Sequence, residues 1–120
     1  MQNTTFSVLF VVTLIIGLCS VGNAQIIEGD VTLSTQAEVN SFSGTSITGN
    51  LTIYGSDIVD LTPLSTLESI DGSLWVFGNP ALTNLAGLAS LAAIGVGLSI
   101  EMNNTLTHFD GLDNLTSVGD

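Results

Sequence analysis

The chain has 120 residues, of which eleven are Asp or Glu, none is Lys or Arg and one is His, for a formal net charge of −11. That balance excludes nucleic acid and anionic membrane surfaces as partners, since both are held by cations set against phosphate. A single cysteine excludes an internal disulfide, so the stability of the domain rests on its core.

The first element is an apolar run from Phe6 to Leu18, followed by Gly22, Asn23 and Ala24. Small residues after such a run predict a signal peptide over residues 1–24, cleaved before Gln25, and therefore a secreted or cell-surface protein. The run falls short of the roughly 17 to 25 residues that cross a bilayer comfortably. An uncleaved anchor is one competing reading, and the segment before the run lacks the usual Lys or Arg. A lipid anchor on Cys19 is another, but it needs a small residue just before the cysteine, where Leu18 stands. Read as part of the signal, Cys19 leaves the mature chain without a thiol.

Residues 25–45 predict an N-terminal cap. GDVTL at Gly29–Leu33 resembles GNLTI at Gly49–Ile53, and Val39 with Phe42 supplies the apolar series of a shorter first coil. Terminal units of a repeat array are atypical because they cover the end of its core.

From Ser46 onward three stretches superimpose at a step of 23 to 24 residues, starting at Ser46, Ser69 and Ala93, and a fourth starts at Ser117. Ile47, Ile70, Ile94 and Val118 open the units. Leu51, Leu74 and Leu98 follow, then Ile53, Val76 and Ile100. The alternation within each Leu-x-Ile or Leu-x-Val is that of a short strand with one buried face. Glycines precede the strands at Gly49, Gly72, Gly95 and Gly97, where the chain is expected to turn sharply. Ser56, Asn79 and Asn103 come three residues after the second strand position, and a polar side chain there can bond the bend and the neighbouring coil.

A second apolar series then advances in steps of three: Ile58, Leu61, Leu64 and Leu67; Leu82, Leu85, Leu88 and Leu91; Leu106, Phe109, Leu112 and Leu115. Steps of three fit 3₁₀ or irregular coil better than α-helix. Together the columns predict a repeat solenoid of parallel β coils, one strand per coil, right-handed if it follows the usual chirality of parallel crossovers. Residues 46–120 form the repeats. The chain stops where the next strand is due, so the array is expected to be truncated at the C-terminus.

The unit from Ile70 to Leu91, Ile-x-Gly-x-Leu-x-Val-x-x-Asn followed by four leucines at steps of three, resembles the leucine-rich-repeat-like coil of receptor L-domains. The disulfide-free forms in secreted bacterial surface proteins are the most similar, and GDVTLSTQAEVNSF resembles their usual opening. The resemblance covers about residues 28–120 and implies an L-domain-like solenoid. Growth-factor binding and kinase coupling do not carry over, because the cysteine-rich modules of the animal receptors are missing.

The acids offer two close pairs, Asp57 with Asp60 and Asp110 with Asp113, and oxygen ligands suit calcium. Yet Asp60 shares its column with Asn84 and His108, and Asp110 shares one with Thr62 and Ala86. They read as solvated turn carboxylates with weak calcium association and no metal site. Carboxylate pairs also serve glycosidases, and some polysaccharide lyases are β-helices, but a lyase of that kind needs a basic proton acceptor. His108 reads as a surface residue, no nucleophile constellation or phosphate loop is present, and the chain is expected to be neither an enzyme nor a cofactor protein.

One surface rises above this background. With the Leu-x-Ile positions inward, Thr52, Tyr54, Trp75, Phe77, Ser99 and Glu101 point outward. Tyr54, Trp75 and Phe77 are three of the five aromatic residues after residue 24. With Glu101 they form the candidate binding site for a protein or glycan ligand, although aromatic residues also suit strands for packing reasons alone. Two function classes follow: a recognition or adhesion module working through this face, and a passive structural spacer of a larger surface protein or secreted enzyme.

Overall fold

The computed structural model describes residues 25–107 and 111–119. The predicted signal with Cys19, and also His108, Phe109 and Asp110, lie outside the described residues.

The chain alternates between two parallel sheets. One has five two-residue strands, β1 (Ile26–Ile27), β3 (Ser46–Ile47), β5 (Ser69–Ile70), β7 (Ala93–Ile94) and β9 (Ser117–Val118), ordered as they occur. The other has four, β2 (Val31–Leu33), β4 (Leu51–Ile53), β6 (Leu74–Phe77) and β8 (Leu98–Glu101), likewise in order. The parallel β expectation holds, but not the expectation of one strand per unit. The Ile47 column forms a sheet of its own, with Ile47↔Ile70, Ile70↔Ile94 and Ile94↔Val118 in register. Only three residues separate the Ile and Leu columns, so the chain bends at Thr48–Asn50 and begins pairing again at once.

Register follows the apolar columns. Leu51 pairs with Leu74 and Leu74 with Leu98, and the isoleucine and valine positions pair in step. All side chains of the first two columns from Ile47 to Ile94 are buried up to β6, and Ile58, Leu61, Leu64, Leu67, Leu82, Leu85, Leu88 and Leu91 are buried with them. Full burial of one such side chain contributes roughly 1.5 to 3 kcal/mol before conformational entropy is counted. Leu98, Ile100, Leu106, Leu112 and Leu115 are only partly buried against this cluster. Short 3₁₀ turns at Thr62–Leu64 and Ala86–Leu88 carry the steps of three. Each is opened by a side chain two residues earlier in the same column: Asp60 Oδ1 accepts from Thr62 N at 3.0 Å and Asn84 Oδ1 from Ala86 N at 3.0 Å.

The N-terminal segment holds a helix that the sequence reading left as coil, α1 (Gln36–Ser41). Thr35 Oγ1 accepts from Glu38 N, and Glu38 Oε1 reaches back to Ser34 N at 2.7 Å. This is a capping-box arrangement, and the Thr-x-x-Glu spacing before Val39 is its signature. Val39 and Phe42 are buried, as the apolar series requires. Gln36 ties the helix to the next segment, its amide donating to the Asp60 carbonyl and accepting from Val59 and Asp60 N–H.

Gly49 and Gly72 lie in the expected bends before β4 and β6, and closeness is what requires glycine there. Neither has a left-handed φ, but Gly72 N–H donates to Gly49 O at 2.9 Å, and a Cβ on Gly72 would stand 2.6 Å from that carbonyl oxygen.

Candidate functional site

The outer face of the four-stranded sheet carries the predicted residues. Strand alternation turns Thr32, Thr52, Trp75 and Ser99 outward as one row, with Thr52↔Trp75 and Trp75↔Ser99 in register. The next outward row contains Tyr54, Phe77 and Glu101. Tyr54 stands one residue beyond the Ile53↔Val76 pair, and Phe77↔Glu101 are register partners. Tyr54 is 46% exposed, Trp75 is 42% exposed, Phe77 is half-buried and Glu101 is exposed.

Tyr54 and Phe77 are stacked, with ring centroids 5.1 Å apart and planes 8° from parallel. Adjacent strands are about 4.8 Å apart, so the centroid separation is that of the backbones beneath. The two rings are stacked across the neighbouring strands, each turning one face to the other. Trp75 belongs to the neighbouring row, two residues before Phe77 on the same strand face. The structure thus brings Tyr54, Phe77 and Glu101 into one row and sets Trp75 beside it.

The row ends at a bend built from buried asparagines. Asn79 is 0% exposed. Its Oδ1 accepts from Gly55 N at 2.9 Å, and its Nδ2 donates to the carbonyls of Ile53 and Phe77 and to Asn103 Oδ1. Asn103 Oδ1 also accepts from Asn79 N, and its Nδ2 donates to Val76 O at 2.9 Å. These bonds fix the bend after each strand, and with it the backbone that carries Tyr54 and Phe77. Ser56 opens the same column but is exposed, and the Asn79 amide extends beneath it to reach Gly55.

Met102 is the surface residue that sequence reasoning missed. It is 72% exposed and has φ of 59°, the left-handed conformation that Gly78 adopts one coil earlier at 67°. The signal was available: the column holds Gly55 and Gly78 before Met102. A thioether follows Glu101 directly at the edge of the aromatic row, where a shallow hollow is lined by Glu101, Met102 and Leu106 among others.

Several of the acids have local duties. Asp57 Oδ1 accepts from Gln36 N, Asp60 opens a 3₁₀ turn, and Asp30 Oδ1 accepts from Asn50 N at 2.9 Å. Among the described residues no group of three or more His, Cys, Asp or Glu side chains is placed to hold a metal ion. No helix among the described residues is long and apolar enough to cross a membrane. The chain matches no protein-family model, and neither a curated protein nor a solved structure matches it significantly.

Proposed function

We propose that this chain is a non-catalytic recognition or adhesion module, exported by its N-terminal signal and displayed outside the cell, that binds a protein or glycan through the outer face of the four-stranded sheet. The observation that carries the reading is the Tyr54–Phe77 stack with Trp75 exposed beside it. Apolar side chains gain nothing from water, and a contiguous group of rings on an open face gains by being covered.

The architecture behind the face is read as a right-handed, L-domain-like solenoid of 23- to 24-residue coils capped by residues 25–45. The parallel order of both sheets and the pairing of like columns support this. So do the hydrogen bonds that join residues 23 and 24 apart, Ser73 N to Asn50 Oδ1 and Asn79 N to Asn103 Oδ1.

Trp75 is the chain's only tryptophan, so its emission reports directly on this face. The purified protein is to be screened against immobilised polysaccharides and extracellular proteins, with Trp75 fluorescence confirming each retained ligand. A double variant, Trp75→Ala with Phe77→Ala, should weaken binding at least tenfold while keeping the far-ultraviolet circular dichroism of the parent. Binding unchanged in a folded double variant would remove the face as the site, and a chain that retains no ligand would favour the passive spacer.

A further inference from the structure

The row Tyr54–Phe77–Glu101 is a stack with one member of a different kind. Tyr54 faces Phe77, and the strand after Phe77 puts a carboxylate where a third ring would stand. The face of Phe77 turned toward that strand is therefore not covered by another aromatic ring. Glu101 is exposed, and its carboxylate, like those of Glu28, Glu68, Asp71 and Asp113, accepts no hydrogen bond from the described residues; of these it alone stands in the row of the stacked rings. With no Lys or Arg anywhere in the chain, its counter-charge has to come from outside.

We propose that an arginine side chain of a partner protein docks at this end of the row, its guanidinium beside Phe77 and its N–H groups donating to Glu101. The inference rests on the reading that this face binds a partner. Guanidinium is a thin planar cation that stacks on aromatic rings and presents a fork of donors matched to a carboxylate. Lysine would supply charge without the plate. A sugar stacks best on a ring face open to solvent, and here one face of each ring is taken by the other. Sulfated or acidic glycans are opposed by the field of a chain at −11. The same field steers a basic partner toward the face and keeps acidic ones away.

The test uses a flexible Gly/Ser peptide carrying two arginines, its citrulline counterpart of identical shape without charge, and neutral cellohexaose. Binding is read by calorimetry and by Trp75 emission. The arginine peptide should bind saturably, and the citrulline peptide at least tenfold more weakly. Glu101→Gln should weaken arginine binding at least fivefold. Glu68→Gln removes the same charge outside this row and should change it less than twofold. Phe77→Leu, which keeps an apolar side chain on the strand, should weaken it as Glu101→Gln does. Equal losses from Glu101→Gln and Glu68→Gln would show general attraction to an acidic protein and overturn the site. Cellohexaose that binds, is indifferent to Glu101→Gln and is lost with Trp75→Ala would overturn the arginine assignment and leave the face reading standing. A chain that responds to none of these probes, and whose retained ligands are indifferent to Trp75→Ala with Phe77→Ala, would overturn both.

Discussion

Replacing Asn79 by Ala tests how the bend beneath the aromatic row is held. The side chain is fully buried and makes four hydrogen bonds, to Gly55 N, the Ile53 and Phe77 carbonyls and Asn103 Oδ1. Truncation to Ala removes all four and leaves no room in which water is certain to replace the amide. Asn103 Oδ1 keeps a partner, the Asn79 backbone N–H, and so loses least. That leaves the Gly55 N–H and the Phe77 carbonyl as the main stranded groups, because the Ile53↔Val76 register also sets the Ile53 carbonyl against Phe77 N–H. An unsatisfied buried group costs about 1 to 3 kcal/mol, which puts the loss at roughly 3 to 4 kcal/mol. In a domain of this size 1 kcal/mol moves Tm by about 4 to 8 °C, so a fall of more than 12 °C is expected in a differential scanning experiment. Ser56→Ala is the matched control, since the exposed hydroxyl opens the same column, and it should move Tm by less than about 3 °C on the same scale. An Asn79→Ala Tm within 3 °C of the parent would refute the account.

Three further outcomes follow from the same geometry. Gly72→Ala should destabilise by about 2 to 3 kcal/mol, because the new Cβ would press on the Gly49 carbonyl and backbone does not give way cheaply; Gly97→Ala, whose Cβ would meet only Ser73 Oγ at 3.8 Å, should be neutral or slightly stabilising in urea titrations. Met102→Gly should raise stability by up to about 1 kcal/mol, since it relieves a left-handed φ at a side chain with little burial to lose, and a loss in chemical denaturation would show that the thioether packs usefully. Tm should rise between about 10 and 150 mM NaCl as the Debye length falls from roughly 30 to 8 Å and the carboxylates stop repelling one another; calcium at matched ionic strength should add a small further rise, and a flat profile would remove repulsion as a factor.

The strands that pair were legible because parallel pairing at a fixed step puts like residues side by side, and a column of Leu or Ile is stable only when each member meets the next. The step of three in the second series was equally plain, and it became the 3₁₀ turns at Thr62–Leu64 and Ala86–Leu88. What stayed hidden was local. A two-residue strand such as Ser46–Ile47 is too short to show alternation, so only its pairing reveals it. Helix α1 is too short for its apolar residues to show a helical period, and only the Thr35–Glu38 cap marks it. The bends at Gly49 and Gly72 were legible, but sequence does not show whether φ or contact distance requires glycine in them.

The aromatic face was legible to a different depth. That Tyr54, Trp75, Phe77 and Glu101 share a face follows from alternation alone, since a period of two leaves no other choice once Leu74 and Val76 are buried. Which of them meet depends on register, and the 23-residue offset between β4 and β6 puts Tyr54 on Phe77, leaving Trp75 against Thr52. One residue more or fewer in that segment would have set Tyr54 opposite Gly78 or Val76 and destroyed the stacked pair. The length of a buried, leucine-lined loop on the far side of the molecule therefore decides which rings touch on this one. The core constrains that length tightly, because Leu61 over Leu85 and Leu64 over Leu88 would slip with it. The packing of the core and the arrangement of the outer face therefore depend on the same spacing, and the residues free to vary without disturbing it are those that only face outward. Glu101 is one of these. A third aromatic residue there would extend the stack at no cost to the core, so the carboxylate at that place calls for a reason on the surface.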